Sequence, residues 1–318
     1  MDKSQNENSR IHVYGPVPSR RLGYSLGVDI LPLKTCTLDC VYCQLGPTPK
    51  KSVQRKTFFE QEKIIAQIQD VLNSGKHIDY ITFSGSGEPT LNKILKKLIR
   101  DIKKITPIPV AVLTNATLLT EDRVRKDLLE ADLVVPSLDA VTQSLFDKVN
   151  RPHASLNIDS IIRGLKAFRR EFSGQIWLEI MLVKGINDSP AHIQKLKKVI
   201  KQVNPNKIQL NTVIRPPAEA TAQPLTPAEL EEVREVLGEQ CEIIADFSKK
   251  EQLPHESNLE SAILVTVRRR PVTLADMAAF LGKHPDEILK HLNHLIQNNQ
   301  VKQIRHEGKI YFEPTEKS

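Results

Sequence analysis

The sequence predicts an α/β fold, a partial TIM-like (β/α)6 barrel of parallel strands followed by a small winged-helix unit. Three observations predict it. From Ser25 to about Ala245, short β-branched runs alternate with longer amphipathic charged segments, the pattern of serial βα units. The chain has 318 residues, more than one hydrophobic core usually fills, so a second unit is expected. The rhythm breaks at 246–256, DFSKKEQLPHE, leaving 257–318 as a compact piece beyond a linker.

The strands are expected at SLGVDILP (25–32), DYITFSG (79–85), PVAVLTN (109–115), DLVVPSLD (132–139), QIWLEIMLVKG (175–185) and KIQLNTV (207–213). Helical patterns fall between and after them, near 60–74, 92–104, 121–130, 157–172, 189–203 and 226–238. The first places Ile64, Ile65, Ile68, Val71 and Leu72 on one face and stops at Gly75. In the C-terminal piece, Leu259–Arg269, Thr273–Leu281 (capped by Thr273) and Pro285–Asn298 (opened by proline) read as three helices. The closing VKQIRHEGKIYFEP has strand-like halves around Glu307-Gly308, the hairpin wing of a winged helix.

Residues 1–10, MDKSQNENSR, are polar and lack the apolar segment of a secretory signal, which predicts a disordered N-terminus ahead of a core spanning 11–245. The longest apolar stretches, such as LVVPSL at 133–138, fall far short of a membrane span, so a cytoplasmic protein with no membrane partner is expected. The net charge of +7 permits an anionic substrate without demanding one. Three of the four cysteines lie within eight residues, a spacing that favours metal binding over a disulfide framework.

Those three are Cys36, Cys40 and Cys43 in KTCTLDCVYCQLG, just after the first predicted strand, where barrel active sites lie. Three thiolates on one short loop can wrap a face of a cubane cluster and leave its fourth iron open to a small molecule. A structural zinc site is the competing reading. It is usually closed by four ligands, and only the distant Cys241 or a histidine is left to supply the fourth. An electron-transfer ferredoxin would want four cysteines per cluster.

With Tyr42 just before the last cysteine, this spacing resembles the signature of the radical S-adenosylmethionine (SAM) superfamily, and the resemblance extends over most of 11–245. It implies a [4Fe–4S] cluster on Cys36, Cys40 and Cys43 and bound SAM. An electron from the cluster would cleave the sulfonium, and the resulting 5′-deoxyadenosyl radical would abstract hydrogen from a substrate. TFSGSGEPTL (82–91) resembles the family's SAM-amino-group motif, with Gly85 and Gly87 in the turn and Glu88 accepting from the ammonium. Asn115 in TNATLL and Ser137 and Asp139 in PSLDA stand where similar enzymes contact the SAM ribose or carboxylate. A polar residue after a strand is also commonly the cap of the next helix. The resemblance further implies a low-potential electron donor such as flavodoxin or ferredoxin.

Glu179, Met181 and Lys184 on the fifth predicted strand are expected to face the barrel interior, where an ion pair would account for the charges. Asn211 and Arg215 near the end of the sixth are candidates for adenine or substrate contact. The opening YGPVPSRRLGYSLGVDILP (14–32) resembles a narrower subgroup, the Fe–S oxidoreductases related to the wyosine tRNA base synthase, and Arg20 and Arg21 suit bidentate contact with carboxylate or phosphate. Synthases of that subgroup carry further cysteines, whereas this chain has only Cys241 outside the triad. The substrate is therefore left as an RNA base or a protein residue presented through the winged helix. From His255 to Ser318 there are nine Lys and Arg against eight Asp and Glu, a slight footprint for nucleic acid. The alternative is a redox-sensing transcriptional regulator that reads its cluster and binds DNA through the winged helix. That reading leaves GSGEP and the polar strand ends without a role.

Overall fold

The computed structural model describes residues 11–19, 21–245, 259–281, 283 and 285–315. The expected N-terminal arm, Arg20 and the linker 246–256 lie outside the described residues.

Eight strands form one sheet in chain order. Strand β1 (Val13–Ser19) runs antiparallel to β2 (Gly23–Val28). From β2 the sheet is parallel through β3 (Tyr80–Phe83), β4 (Val110–Thr114), β5 (Leu133–Pro136), β6 (Gln175–Leu182), β7 (Lys207–Thr212) and β8 (Cys241–Ile243). The six strands expected from sequence are β2 to β7. Strands β1 and β8 were not expected, for physical reasons. β1 carries Gly15, Pro16 and Pro18, residues that weaken a strand pattern and suit only a sheet edge. β8 has three residues, too few to show alternation.

The helices cover the outer face of this sheet. In Leu95–Ile105, Leu95, Leu98, Ile99 and Ile102 are buried at the spacing of one helical face, and the lysines turn outward. β6 gives the complementary pattern: Ile176, Leu178, Ile180 and Leu182 are buried against the helices, while Trp177, Glu179 and Met181 point to the other face. Two apolar clusters result. The larger fills the space between sheet and helices. The smaller, Leu22, Ala111, Leu133 and Val135 with Tyr80, Leu113 and Trp177 against them, makes a floor on the inner face. A further short helix, Gln143–Val149, was missed because it has barely two turns in which to show a period.

Beyond the undescribed stretch, helices Leu259–Arg269, Leu274–Leu281 and Pro285–Gln297 pack with an antiparallel sheet of β9 (Val272–Thr273), β10 (Val301–His306) and β11 (Lys309–Pro314) in the order β10-β11-β9. Their core is separate and includes Ile263, Val267, Met277, Ile288, Leu292 and Phe312. The Thr273 hydroxyl accepts from Asp276 N at 3.0 Å, the expected cap. The β10–β11 turn holds Glu307 and Gly308 at φ 48° and 72°, the left-handed pair that a two-residue hairpin turn requires. Tyr311 Oη donates to the Ile214 carbonyl at 2.6 Å, joining β11 to the segment that follows β7. Among the described residues no helix is long and apolar enough to cross a membrane.

Candidate active site

The cysteine loop leaves the end of β2 and is strapped down on both sides. On one side Lys34 N donates to Ser86 O at 2.7 Å and Glu88 N to Thr35 O at 3.0 Å, so Thr35 and Gly87 pair like residues of a parallel ladder. A Cβ at Gly87 would lie 1.9 Å from the Thr35 carbonyl oxygen, so only glycine allows this approach. Gly85 adopts φ +136°, and a Cβ there would meet Asp29 Cγ at 2.7 Å. The two glycines of GSGEP therefore serve the seating of the cysteine loop on the turn after β3. On the other side Asp39 N donates to Asn150 O at 3.0 Å and Val41 N to Val149 O at 3.0 Å.

The three thiols sit half-buried on this loop and form no disulfide. Burial pushes the Cys36 thiol up to about 12 and raises Cys40 as well. In the metal-free chain these groups hold their protons, and ligation must displace them. Lys34 is nine-tenths buried, and its Nζ lies 3.0 Å from Cys43 Sγ. Among the described residues no carboxylate lies within ion-pair distance of it. A buried cation requires an anion, and a thiolate-ligated cluster supplies one, so the donor set fits the group. Cys241, the distant fourth ligand of the zinc reading, is instead buried in β8, and burial raises its thiol to about 12.

Glu88 is buried behind the loop. Its Oε1 accepts from Thr90 N at 3.1 Å, Thr90 Oγ1 at 2.6 Å and Thr114 Oγ1 at 2.6 Å, and its Oε2 accepts from Asn115 N at 2.6 Å. Burial raises its pKa, and these hydrogen bonds pull the other way. Oε1 is saturated; Oε2 has one protein donor. The carboxylate thus links the turn after β3 to the end of β4.

Tyr42, Asn115, Ser137 and Asp139 all line one small cavity, together with Asn150. Asp139 Oδ2 accepts from Tyr42 Oη and from Asn150 Nδ2, the latter at 2.7 Å, while Oδ1 accepts from Met181 N at 2.9 Å. This is a bridge from β5 to β6, not a helix cap. Burial raises the Asp139 pKa to about 6. Asn115 is bonded at both ends of its amide. Its Oδ1 accepts from Thr117 N at 3.1 Å like a cap, while its Nδ2 faces Thr37 Oγ1 at 2.8 Å and Cys36 Sγ at 3.5 Å.

The charges of β6 pair differently from expectation. Glu179 does face inward, but its carboxylate is held by both terminal nitrogens of Arg21 at 2.9 Å and by Asn211 Nδ2 at 3.0 Å. The bidentate contact anticipated for Arg21 is made within the protein. Lys184 lies past the end of β6 and pairs with Glu229 at 2.9 Å, outside the interior. Arg215 is buried and reaches Gln44 Oε1 of the cysteine loop at 3.4 Å. Sequence reasoning missed Lys34 and Asn150: one looks like a loop lysine, the other like a helix end. A wide cleft of about 700 Å³ lined by Arg100, Lys103, Lys104, Asp132 and Gln175 opens at the opposite, N-terminal end of the strands. Chemistry in parallel α/β sheets belongs to the C-terminal ends of the strands, and all three of these cations are spent on surface ion pairs, with Glu130, Asp132 and Asp101.

Residues 30–196 match the family model of the radical SAM superfamily. The chain belongs to that superfamily. Membership makes it a radical SAM enzyme and brings the two cofactors of the family, SAM and a [4Fe–4S] cluster. Among its relatives, a UPF0026 protein of Methanocaldococcus jannaschii is 33% identical over 94% of each chain. A Brachyspira hyodysenteriae protein named GTPase Obg is 37% identical over 95% of this chain, which spans only 45% of that protein's length. A Thermotoga sp. (strain RQ2) protein named "Probable dual-specificity RNA methyltransferase RlmN" is 28% identical over 59% of this chain and 55% of its own. Among solved structures, a radical SAM methyltransferase from Sphaerobacter thermophilus superposes with a TM-score of 0.55 at 17% identity, over 69% of this chain and 65% of that one. That likeness shows a shared α/β fold with a mostly parallel sheet.

Proposed function

We propose that Cys36, Cys40 and Cys43 hold the cluster, that SAM lies across the ends of β3, β4 and β5, and that the enzyme cleaves SAM reductively to start radical chemistry on RNA. When bound, the cluster supplies the electron that breaks the sulfonium. The observation that carries the reading is the seating of the cysteine loop on the GSGEP turn: the contact between Gly87 and Thr35 puts the thiols and the SAM-motif turn in one assembly.

In this reading Glu88 Oε2 accepts from the SAM ammonium and Ser137 contacts its ribose or carboxylate, while Asn115, its amide already bonded at both ends, lines the same cavity. Asp139 holds Tyr42, and with it the cysteine loop, to the end of β5 and fixes the distance between β5 and β6. The floor of Leu22, Leu133 and Trp177 closes the interior from below and keeps water from the reacting end. The electron comes from a low-potential donor of the flavodoxin or ferredoxin class. RNA as substrate is supported by the likeness to the Thermotoga protein named as an RNA methyltransferase.

We read 11–245 as the catalytic barrel and 257–318 as a winged helix. The third helix of that unit presents little to nucleic acid, since His291 and His294 are both turned to Glu260 of the first, at 3.2 and 2.9 Å. Its role in this reading is to pack against the barrel through Tyr311. Nothing in the regulator reading accounts for the buried Glu88 and Asp139 networks.

The test is anaerobic reconstitution with iron and sulfide, dithionite reduction with SAM, and assay for 5′-deoxyadenosine. Product that disappears in Cys40→Ala supports the reading. A stable four-iron cluster beside intact SAM overturns it.

A further inference from the structure

Each of the three thiols has its own side-chain N–H donor, and the three donors come from three different places in the fold. Asn115 Nδ2, just past β4, lies 3.5 Å from Cys36 Sγ. Asn150 Nδ2, at the end of helix Gln143–Val149, lies 3.4 Å from Cys40 Sγ. Lys34 Nζ, at the start of the loop, lies 3.0 Å from Cys43 Sγ. We propose that these three groups set the reduction potential of the cluster, with Lys34 the strongest. The proposal rests on the cluster reading above.

The donors are aimed by other bonds. The Asn115 amide is oriented by Thr117, whose N and Oγ1 donate to its Oδ1 at 3.1 and 2.8 Å, so its Nδ2 must face the loop. The Asn150 amide is anchored by donating to Asp139 Oδ2 at 2.7 Å, and its other N–H is shared between Cys40 Sγ and Tyr42 Oη, the latter at 3.3 Å. Lys34 is seated through its backbone, with φ 56° and N bonded to Ser86 O at 2.7 Å. Its ammonium is drawn under the loop, where solvent screens it little.

The effect on potential follows from charge. A [4Fe–4S]2+ core with three thiolates carries one net negative charge. Taking one electron from a low-potential donor gives [4Fe–4S]+ and a second negative charge, with no proton required. An N–H aimed at sulfur stabilises the more negative state, and so raises the potential. A full positive charge in a poorly screened place does so more than an amide dipole. The arrangement therefore eases reduction of the cluster by the physiological donor.

The experiment is an EPR-monitored redox titration of the reconstituted full-length protein, with iron content measured alongside, for wild type, Lys34→Met, Lys34→Arg and Asn150→Ala. Lys34→Met is expected to disfavour reduction by roughly tenfold in equilibrium constant, about 59 mV for a one-electron couple. Lys34→Arg should stay near wild type, and Asn150→Ala should shift the same way as Lys34→Met by less. Should Lys34→Met fail to assemble a cluster, a lowered potential in Asn150→Ala supports the proposal. Wild-type potentials in both Lys34→Met and Asn150→Ala at full iron content overturn it. Loss of the cluster in all three variants also overturns it, since the groups would then be structural. A wild type that assembles no four-iron cluster speaks instead against the underlying reading.

Discussion

The two ends of the same strands are built on different rules. At the floor, Leu22, Ala111, Leu133 and Val135 meet as apolar surfaces, and their identity matters through volume. At the rim, Glu88, Asn115, Asp139 and Asn150 meet through directed hydrogen bonds, and their identity matters atom by atom. β4 makes the change within two residues: Leu113 packs against the floor, Thr114 donates to Glu88, and Asn115 turns to Cys36. Stability and chemistry can therefore be changed separately in this protein, because they occupy separate layers of one sheet.

Gly87→Ala should act on the rim alone, and with the largest effect. Its methyl would need the space of the Thr35 carbonyl, so cluster loading after reconstitution should fall to near zero while the far-ultraviolet circular dichroism is kept. Wild-type iron content in this variant would mean that the loop does not depend on the turn. Leu133→Ala tests the other layer. Its side chain is 1% exposed, and urea unfolding should register a loss of about 2–5 kcal/mol. The midpoint potential of the cluster should not move.

Asp139 gives the smallest effect and a defined pH window. Burial raises its pKa to about 6, so between about 4 and about 6 the native chain keeps a proton that the unfolded chain releases. The stabilisation is complete below that window and is lost as pH rises through it. Compared with Asp139→Asn, the metal-free wild type should lose up to about 3 kcal/mol across the window and then level off. Parallel urea titrations from pH 4 to pH 7 check this, and a constant difference between the two proteins would count against it.

Much of the layer structure was legible in the sequence. Strands β2 to β7 announce themselves because buried strands alternate with one-sided helices, and the hairpin at Glu307-Gly308 because only certain residues make that turn. The cysteines, the GSGEP turn and the polar strand ends were legible as types at the right places. Their partners were not. Arg21 and Glu179 are 158 positions apart, and Asn150 and Cys40 are 110 apart, so only the folded chain brings them together. Lys184 was expected beside Glu179, but it stands an odd five positions away, and β6 ends at Leu182 before reaching it, so the lysine leaves that face. Lys34 was overlooked because burial of a lysine cannot be read from a loop sequence.

The solitary Cys241 offers the experimenter a clock. It sits in the last strand of the main sheet, only 4% exposed and paired in register with Ile208, while the other three thiols lie partly open at the rim. In metal-free protein a thiol reagent reaches the partly open rim cysteines without any strand opening, although burial of Cys36 and Cys40 slows their reaction, whereas it must wait for β8 to detach before it meets Cys241. The rate at which the fourth label arrives is then a direct measure of how often that edge of the sheet opens, without any probe having to be introduced.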